Sequence, residues 1–342
     1  MRSPLARSLA AIAAAALALP ALAACGADDT DAKGGGDSLV IYSGRSEKLV
    51  KPILDELEKA VGTKVEVRYG ESAELAAQML EEGGKTKADV FFSQDAGALG
   101  ALSKEGLLAK LPQTVLDEVD PAYRGHAGDW VGVSGRSRVI AYNPDKTAEA
   151  PDSVRDVVKP EWKGKVGYAP TNASFQTFVT GMRVLDGDDA TRAWLKGLKE
   201  NGKPYDNNLR VLDGVEAGEV SLGLVNHYYW YERAAEKGAE NLKSKLHFLP
   251  GGDPGALLNV AGAGIVKDSG QDAAARRAVG FLLSEKAQTY FADHTKEYPL
   301  IKGVSPSEGV PPLDTLQAPE IDLGRLDTLQ ETLAMLQDAG LV

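Results

Sequence analysis

The chain has 342 residues, 43% hydrophobic and 25% charged, which excludes a disordered or fibrous protein and leaves room for two domains. A formal net charge of −11 argues against a nucleic-acid groove, because phosphate backbones are met by clustered Lys and Arg that this sequence does not show. It says nothing against an anionic ligand in one local pocket.

Arg2 and Arg7 precede an uncharged apolar run from Leu9 to Ala24, interrupted by Pro20 and followed by Cys25, the only cysteine. This is the pattern of a signal peptide over residues 1–24. The run is too short and alanine-rich for a transmembrane helix, and no later segment approaches ~20 uninterrupted apolar residues. Leu22–Cys25 resembles the lipobox of bacterial lipoproteins. That resemblance implies cleavage before Cys25, diacylglycerol on its thiol, and an extracytoplasmic protein lipid-anchored to the outer face of the cell membrane. An ordinary secretory signal with a chance cysteine is the alternative. Residues 25–37, polar and glycine-rich, read as a flexible tether. One lipidated cysteine permits no internal disulfide, so stability must come from packing.

The body opens with a strand at 38–44, then a helix in which Leu49, Val50, Ile53, Leu54 and Leu57 recur at helical spacing. Val65, Val67 and Tyr69 alternate as a strand, 72–83 is helical, and 88–95 is a buried strand opening into a polar loop. A second series follows: a strand at 165–170, helices at 174–185 and 188–200, a strand at 219–225, a helix at 228–238 and the short stretch 245–250. One long helical run, 271–293, comes late. The alternation predicts an α/β fold with mainly parallel sheets flanked by helices. In such sheets ligands bind beyond the carboxyl ends of the strands, so the loops after Ser43, Phe92, Tyr168 and Val225 point to one edge or cleft. No repeat or linker separates two halves, which favours two lobes that trade strands: 38–137 plus 256–312, and 138–255 plus 313–342.

Catalytic motifs are mostly absent, with no nucleophile elbow, phosphate-binding glycine loop or zinc-protease helix. His126, His227, His247 and His294 are scattered and read as surface or partly packed residues, His227 least securely. Tyr228, Tyr229 and Tyr231 surround Trp230. A phenol ionises near pH ~10, so phenolate at neutral pH needs a strong local positive charge, which a trivalent cation supplies. Hard cations prefer such oxygen donors. Fe3+ held by two phenolates keeps one positive charge for an external anion to neutralise. From the residues alone, aromatic packing at a helix start remains the competing reading.

The segment Asn226–Tyr231 resembles the Asn-x-Tyr-Tyr-Trp-Tyr stretch of bacterial periplasmic ferric-iron-binding proteins. Segments 134–142, 162–175, 194–203, 240–248, 253–257 and 297–300 are similar to the same family, in order, across essentially all of 38–342. The resemblance implies a two-lobed type II periplasmic-binding-protein fold whose interlobe cleft closes on Fe3+, and delivery to an ABC-type ferric iron permease. It assigns Tyr228 and Tyr229 to the metal. Asn172, Ala173, Ser174, Asn207 and Asn226 match positions that hold a synergistic phosphate or carbonate; the turn 172–174 also opens a helix, whose free N–H groups attract anions. Two positions depart from the family: Ser46 stands where many members place a ligating histidine, and Gln94, followed by Asp95, where they place a glutamate. Gln94 offers a neutral carbonyl oxygen, and Asp95 or Glu71 a charge. The missing donors should increase dependence on the external anion, or on a chelate such as ferric citrate or a small siderophore. Arg136 and Arg138, near the lobe crossing, and Arg45, in the first strand-to-helix loop, are further anion candidates, since a guanidinium holds carbonate or carboxylate by paired hydrogen bonds. The expectation is a monomeric, non-enzymatic binding protein. A metal-free receptor for an organic or phosphorylated anion is the alternative, with a secreted enzyme on a similar fold behind it.

Overall fold

A computed structural model describes residues 38–342. The expected signal peptide, the expected lipid site at Cys25 and the expected tether lie outside the described residues.

The first lobe begins with β1 (Ser38–Ser43), α1 (Glu47–Val61), β2 (Lys64–Tyr69), α2 (Ser72–Glu82), β3 (Val90–Ser93), α3 (Ala96–Lys104) and the short α4 (Gln113–Leu116). In α1, Val50, Ile53, Leu54, Leu57 and Val61 are buried at three- and four-residue spacing. Gly62 ends it with φ 69°, a conformation that costs a residue without Cβ little. β1 pairs in parallel with both β2 and β3.

β4 (Trp130–Tyr142) then leaves the lobe. Its first part, to Ser137, pairs antiparallel with β9 (Leu258–Ile265), and Arg138–Tyr142 pair antiparallel with β7 (Leu222–Asn226). Around β7 stand β5 (Val166–Tyr168), α5 (Ala173–Asp186), α6 (Asp188–Asn201), β6 (Gly202–Pro204), α7 (Asn208–Glu216), α8 (His227–Lys237) and β8 (Lys245–His247). β9 returns the chain to the first lobe, followed by α9 (Asp272–Leu282), α10 (Glu285–Thr295) and the two-residue β10 (Tyr298–Pro299). The strand order is β2-β1-β3-β9-β4-β7-β5-β6. Each lobe keeps its parallel pairs, and the antiparallel contacts belong to β4 and β9, the two crossings.

Sequence patterning does not announce β4 and β9 as strands. Residues 130–141 of β4 and all of β9 are buried, yet they mix Gly, Ser, Arg and Asn with Val, so they show neither alternation nor a continuous apolar run. The expected helix at 271–293 is two helices. The Ser284 hydroxyl donates to Phe281 O and accepts from Ala287 N, capping α10 and breaking the run.

One core joins β1–β3, β9, the first part of β4 and helices α1–α3 and α9–α10; Ile140, Phe175, Phe178, Trp194, Leu195 and Leu222 anchor another in the second lobe. The final return to the second lobe comes later than the expected residue 313. Leu313, Leu316, Ile321, Leu323 and Leu326 still pack on the first core, and only α11 (Leu329–Asp338) places Met335 and Leu336 in the second. The apolar spacing of 313–326 is irregular, which hides its destination in sequence. This strap lies against α3 because Gly97 and Gly100 have no side chain; a Cβ on either would press on the carbonyls of Leu326 and Gly324. Gly100→Ala is therefore expected to cost about 1–3 kcal/mol in urea unfolding, the usual range for overpacking.

Candidate metal centre

A cleft of roughly 700 Å3 is lined from the first lobe by Glu71–Glu74, Gln94 and Asp95, and from the second by Thr171–Ser174, Asp206, Tyr228 and Tyr229; Arg136 of β4 reaches it from the crossing. The loops after β2, β3, β5 and β7 build it, as expected for all but β2. The loop after β1 does not line it. Ser46 instead precedes α1, and Gly44 packs so closely on Ser72 that a Cβ there would collide with the serine hydroxyl.

Local sequence places the tyrosines. β7 is fully buried and ends at Asn226, and α8 starts at once, so Tyr228 and Tyr229 fall in its first turn. The positive end of the helix dipole favours negative charge there. Their ring centroids are 4.2 Å apart. Trp230 turns away and donates its indole N–H to Ser244 O and Oγ at 3.1 Å, while Tyr231 packs edge-on to His227. Only the first two phenols of the group line the cleft. Burial, then the neighbouring Tyr229 phenol, pushes Tyr228 well above the ordinary phenol pKa, and Arg136 opposes this.

His227 is fully buried outside the cleft lining. Its Nδ1 accepts the Ser137 N–H at 3.2 Å and its ring stacks on Tyr298 at 4.7 Å; burial pushes its pKa down to about 4, so it is neutral.

The three arginines part company. Arg45, expected as an anion donor, is committed to Glu297: Nη1 and Nη2 donate to the two carboxylate oxygens at 2.9 and 2.6 Å. Ser134 and Thr295 donate to the same carboxylate at 3.1 and 2.9 Å. Arg136 is 3% exposed, and its Nη1 has no hydrogen-bond partner. Arg138 Nη1 donates to Asn226 Oδ1 at 3.2 Å, lies 3.5 Å from Ser174 Oγ, and its guanidinium sits over the Phe178 ring. Burial lowers its pKa to about 10, which leaves it charged at neutral pH. Because strand residues two apart share a face, Arg136 and Arg138 project to the same side. Neither donates a hydrogen bond to a carboxylate; Arg136 feels the charge of Glu297, which is already bonded to Arg45, and of Asp95, so the two buried guanidiniums keep donors to spare. Such charges suit an incoming anion.

At the second-lobe wall, Asn172 Oδ1 accepts from Ser174 N at 3.1 Å and Ser174 Oγ at 2.7 Å, capping α5. Asn208 Nδ2 donates to both Asn172 Oδ1 and Ser174 Oγ at 2.9 Å. The sequence reading chose Asn207, which the structure puts at the exposed start of α7, accepting from Arg210 N. Its neighbour Asn208 is the buried member of the cluster, and nothing in the local pattern distinguishes the two. Asn226 contributes a buried Nδ2 without a partner. Asp95 caps α3 through Ala98 N at 3.2 Å, and Gln94 donates its backbone N–H to Ser72 Oγ at 2.8 Å. Among the described residues no three His, Cys, Asp or Glu side chains converge as a metal cage.

A cleft between two α/β lobes joined by paired antiparallel crossings, with ligand groups from both sides, defines a type II periplasmic binding protein. The family described as bacterial extracellular solute-binding protein matches residues 85–320. The chain is 36% identical over 311 residues to the major ferric iron-binding protein of Neisseria meningitidis, covering 89% of this chain and 93% of that one. It is 34% identical to the Fe(3+)-binding periplasmic protein of Serratia marcescens over 307 residues, covering 89% and 90%. Iron-bound HitA from Pseudomonas aeruginosa superposes with a TM-score of 0.82 at 36% identity, covering 89% of this chain and all of HitA. The chain belongs to the bacterial extracellular solute-binding proteins, among the ferric-iron-binding members, and is a binding protein rather than an enzyme.

Proposed function

We propose that this protein captures Fe3+ in the interlobe cleft with the phenolates of Tyr228 and Tyr229, together with a synergistic anion such as phosphate, carbonate or citrate. The observation that carries this is the pair of adjacent phenols on the cleft wall beside the unpartnered, buried Arg136. Iron displaces the phenol protons to solvent, as metal binding to protonated ligands requires. Two phenolates leave the cation one positive charge. The anion neutralises it, completes its coordination and accepts hydrogen bonds from Arg136, Arg138, the Asn226 amide and the first turn of α5 at Asn172, Ala173 and Ser174. Gln94 is a neutral oxygen donor from the opposite lobe. Asp95, already a helix cap, supplies negative charge toward the cation, and the exposed Asn207 is a weaker anion contact in this reading.

Closure of the lobes about β4 and β9 accompanies capture, and an ABC-type permease receives the iron. The monomer is secreted and held by lipid at Cys25. Metal analysis and native mass spectrometry of protein from its own cell envelope test the whole reading. The expected result is one iron with one small anion and a visible phenolate-to-iron absorption band. Protein saturated with Fe3+ and phosphate, carbonate or citrate that stays colourless would overturn it, and an anion bound without metal would support the metal-free receptor.

A further inference from the structure

A smaller hollow of about 220 Å3 opens off the cleft, between α2, α3 and the junction of the strap with α11. The two spaces share Ala73, Ala77, Asp95, Thr177, Leu329 and Gln330, so one ligand can enter both. Ala76, Leu80, Ala98, Ala101 and Leu326 give the hollow hydrocarbon walls. Leu80 is 37% exposed, although large apolar side chains are mostly covered elsewhere among the described residues. For scale, an apolar cavity of about 150 Å3 takes up benzene. The adjoining cleft supplies the polar half, with Arg136 Nη1 buried and unpartnered; Arg138 stands behind the wall residue Ser174, 3.5 Å from its Oγ, with no carboxylate hydrogen-bonded to it. Phosphate or carbonate satisfies those guanidiniums and leaves the hollow unfilled.

We infer that the iron arrives as a complex of an aromatic chelator with adjacent oxygen donors, a catecholate or aromatic 2-hydroxycarboxylate, whose ring lies in this hollow. The inference rests on the ferric reading above. Fe3+ takes phenolate and carboxylate oxygens as a hard cation. A dianionic chelator added to two tyrosine phenolates makes the bound complex singly negative, and Arg136 and Arg138 hold that charge.

The test titrates the full chain with ferric 2,3-dihydroxybenzoate and, separately, ferric phosphate, following intrinsic fluorescence. Leu80→Trp and Ala101→Phe fill the hollow and replace no residue given an iron or anion role; thermal melts check that both fold. The aromatic complex should bind at least about tenfold more tightly than ferric phosphate and lose about tenfold in each variant, with ferric phosphate unchanged. Equal losses for both ligands would show that the hollow merely closes with the lobes, and no loss for either would show that it is empty in use; each overturns the inference. If neither ferric species binds the parent protein, the ferric reading itself fails.

Discussion

Tyr228→Phe should abolish or strongly bleach the visible band of the iron-loaded protein and weaken Fe3+ binding by at least about a hundredfold. The floor follows from metal sites generally, where removing a partner one shell out already costs about 10–100-fold. Tyr228 is a direct donor in the proposed site. Tyr229→Phe should behave alike, and Tyr231→Phe, whose ring packs on His227 away from the cleft, should change neither colour nor affinity. A spectrophotometric titration against a competing chelator reads both quantities. If Tyr228→Phe keeps its colour and affinity, the two phenols are packing and the iron is held elsewhere.

The same phenol sets a pH dependence. Burial holds Tyr228 protonated far above neutrality, so iron must displace its proton. Apparent affinity should therefore fall about tenfold per unit decrease in pH for each proton released. Acid favours the iron-free form.

Glu297→Gln is expected to cost about 3–5 kcal/mol in urea unfolding, because it leaves the Arg45 guanidinium buried without its counter-charge. Arg45 is 1% exposed and 2.6 Å from the carboxylate it would lose. Against a typical total of about 5–15 kcal/mol, this is the largest single loss expected here. Removing both partners, as in Arg45→Met with Glu297→Leu, should restore much of it, since no charge is then stranded. A loss below about 1 kcal/mol for Glu297→Gln would show that solvent reaches the Arg45 guanidinium and replaces the carboxylate. Burial alone would raise the Glu297 pKa, but the Arg45 charge and hydrogen bonds prevail and hold it below the ordinary carboxylate value. The sign follows. A depressed folded-state pKa gives stability that is present above the unfolded-state value near pH ~4.3 and lost as pH falls through the folded value.

Both residues, Tyr228 and Glu297, stand beside β4, since α8 packs on it and β10, which Glu297 precedes, pairs with it; the crossings β4 and β9 are the part least legible in sequence. The elements of each lobe were readable because β1, β2, β3, β5 and β7 carry apolar or alternating runs and α1 a clear helical stripe. The crossings are buried by neighbours on both sides while carrying Gly, Ser and Arg, so their environment is tertiary. The strap at 313–326 shows the same limit: its leucines are visible, but which lobe they cover depends on Gly97 and Gly100 more than 200 residues earlier.

By itself, the sequence determined the two α/β series, the carboxyl-end placement of the site, the ferric-binding resemblance and the adjacent tyrosines at the start of a helix. Those are local or chain-ordered signals, carried by periodicity and by neighbouring residues. Only the tertiary structure decided which arginine is free and which asparagine is inside. Arg45 and Arg136 are equivalent as isolated cations, and they differ because Glu297, 252 residues from Arg45, takes the hydrogen bonds of one and leaves the other facing the cleft. Asn207 and Asn208 differ because a helix start turns consecutive side chains in different directions, one toward solvent and one against Asn172 and Ser174.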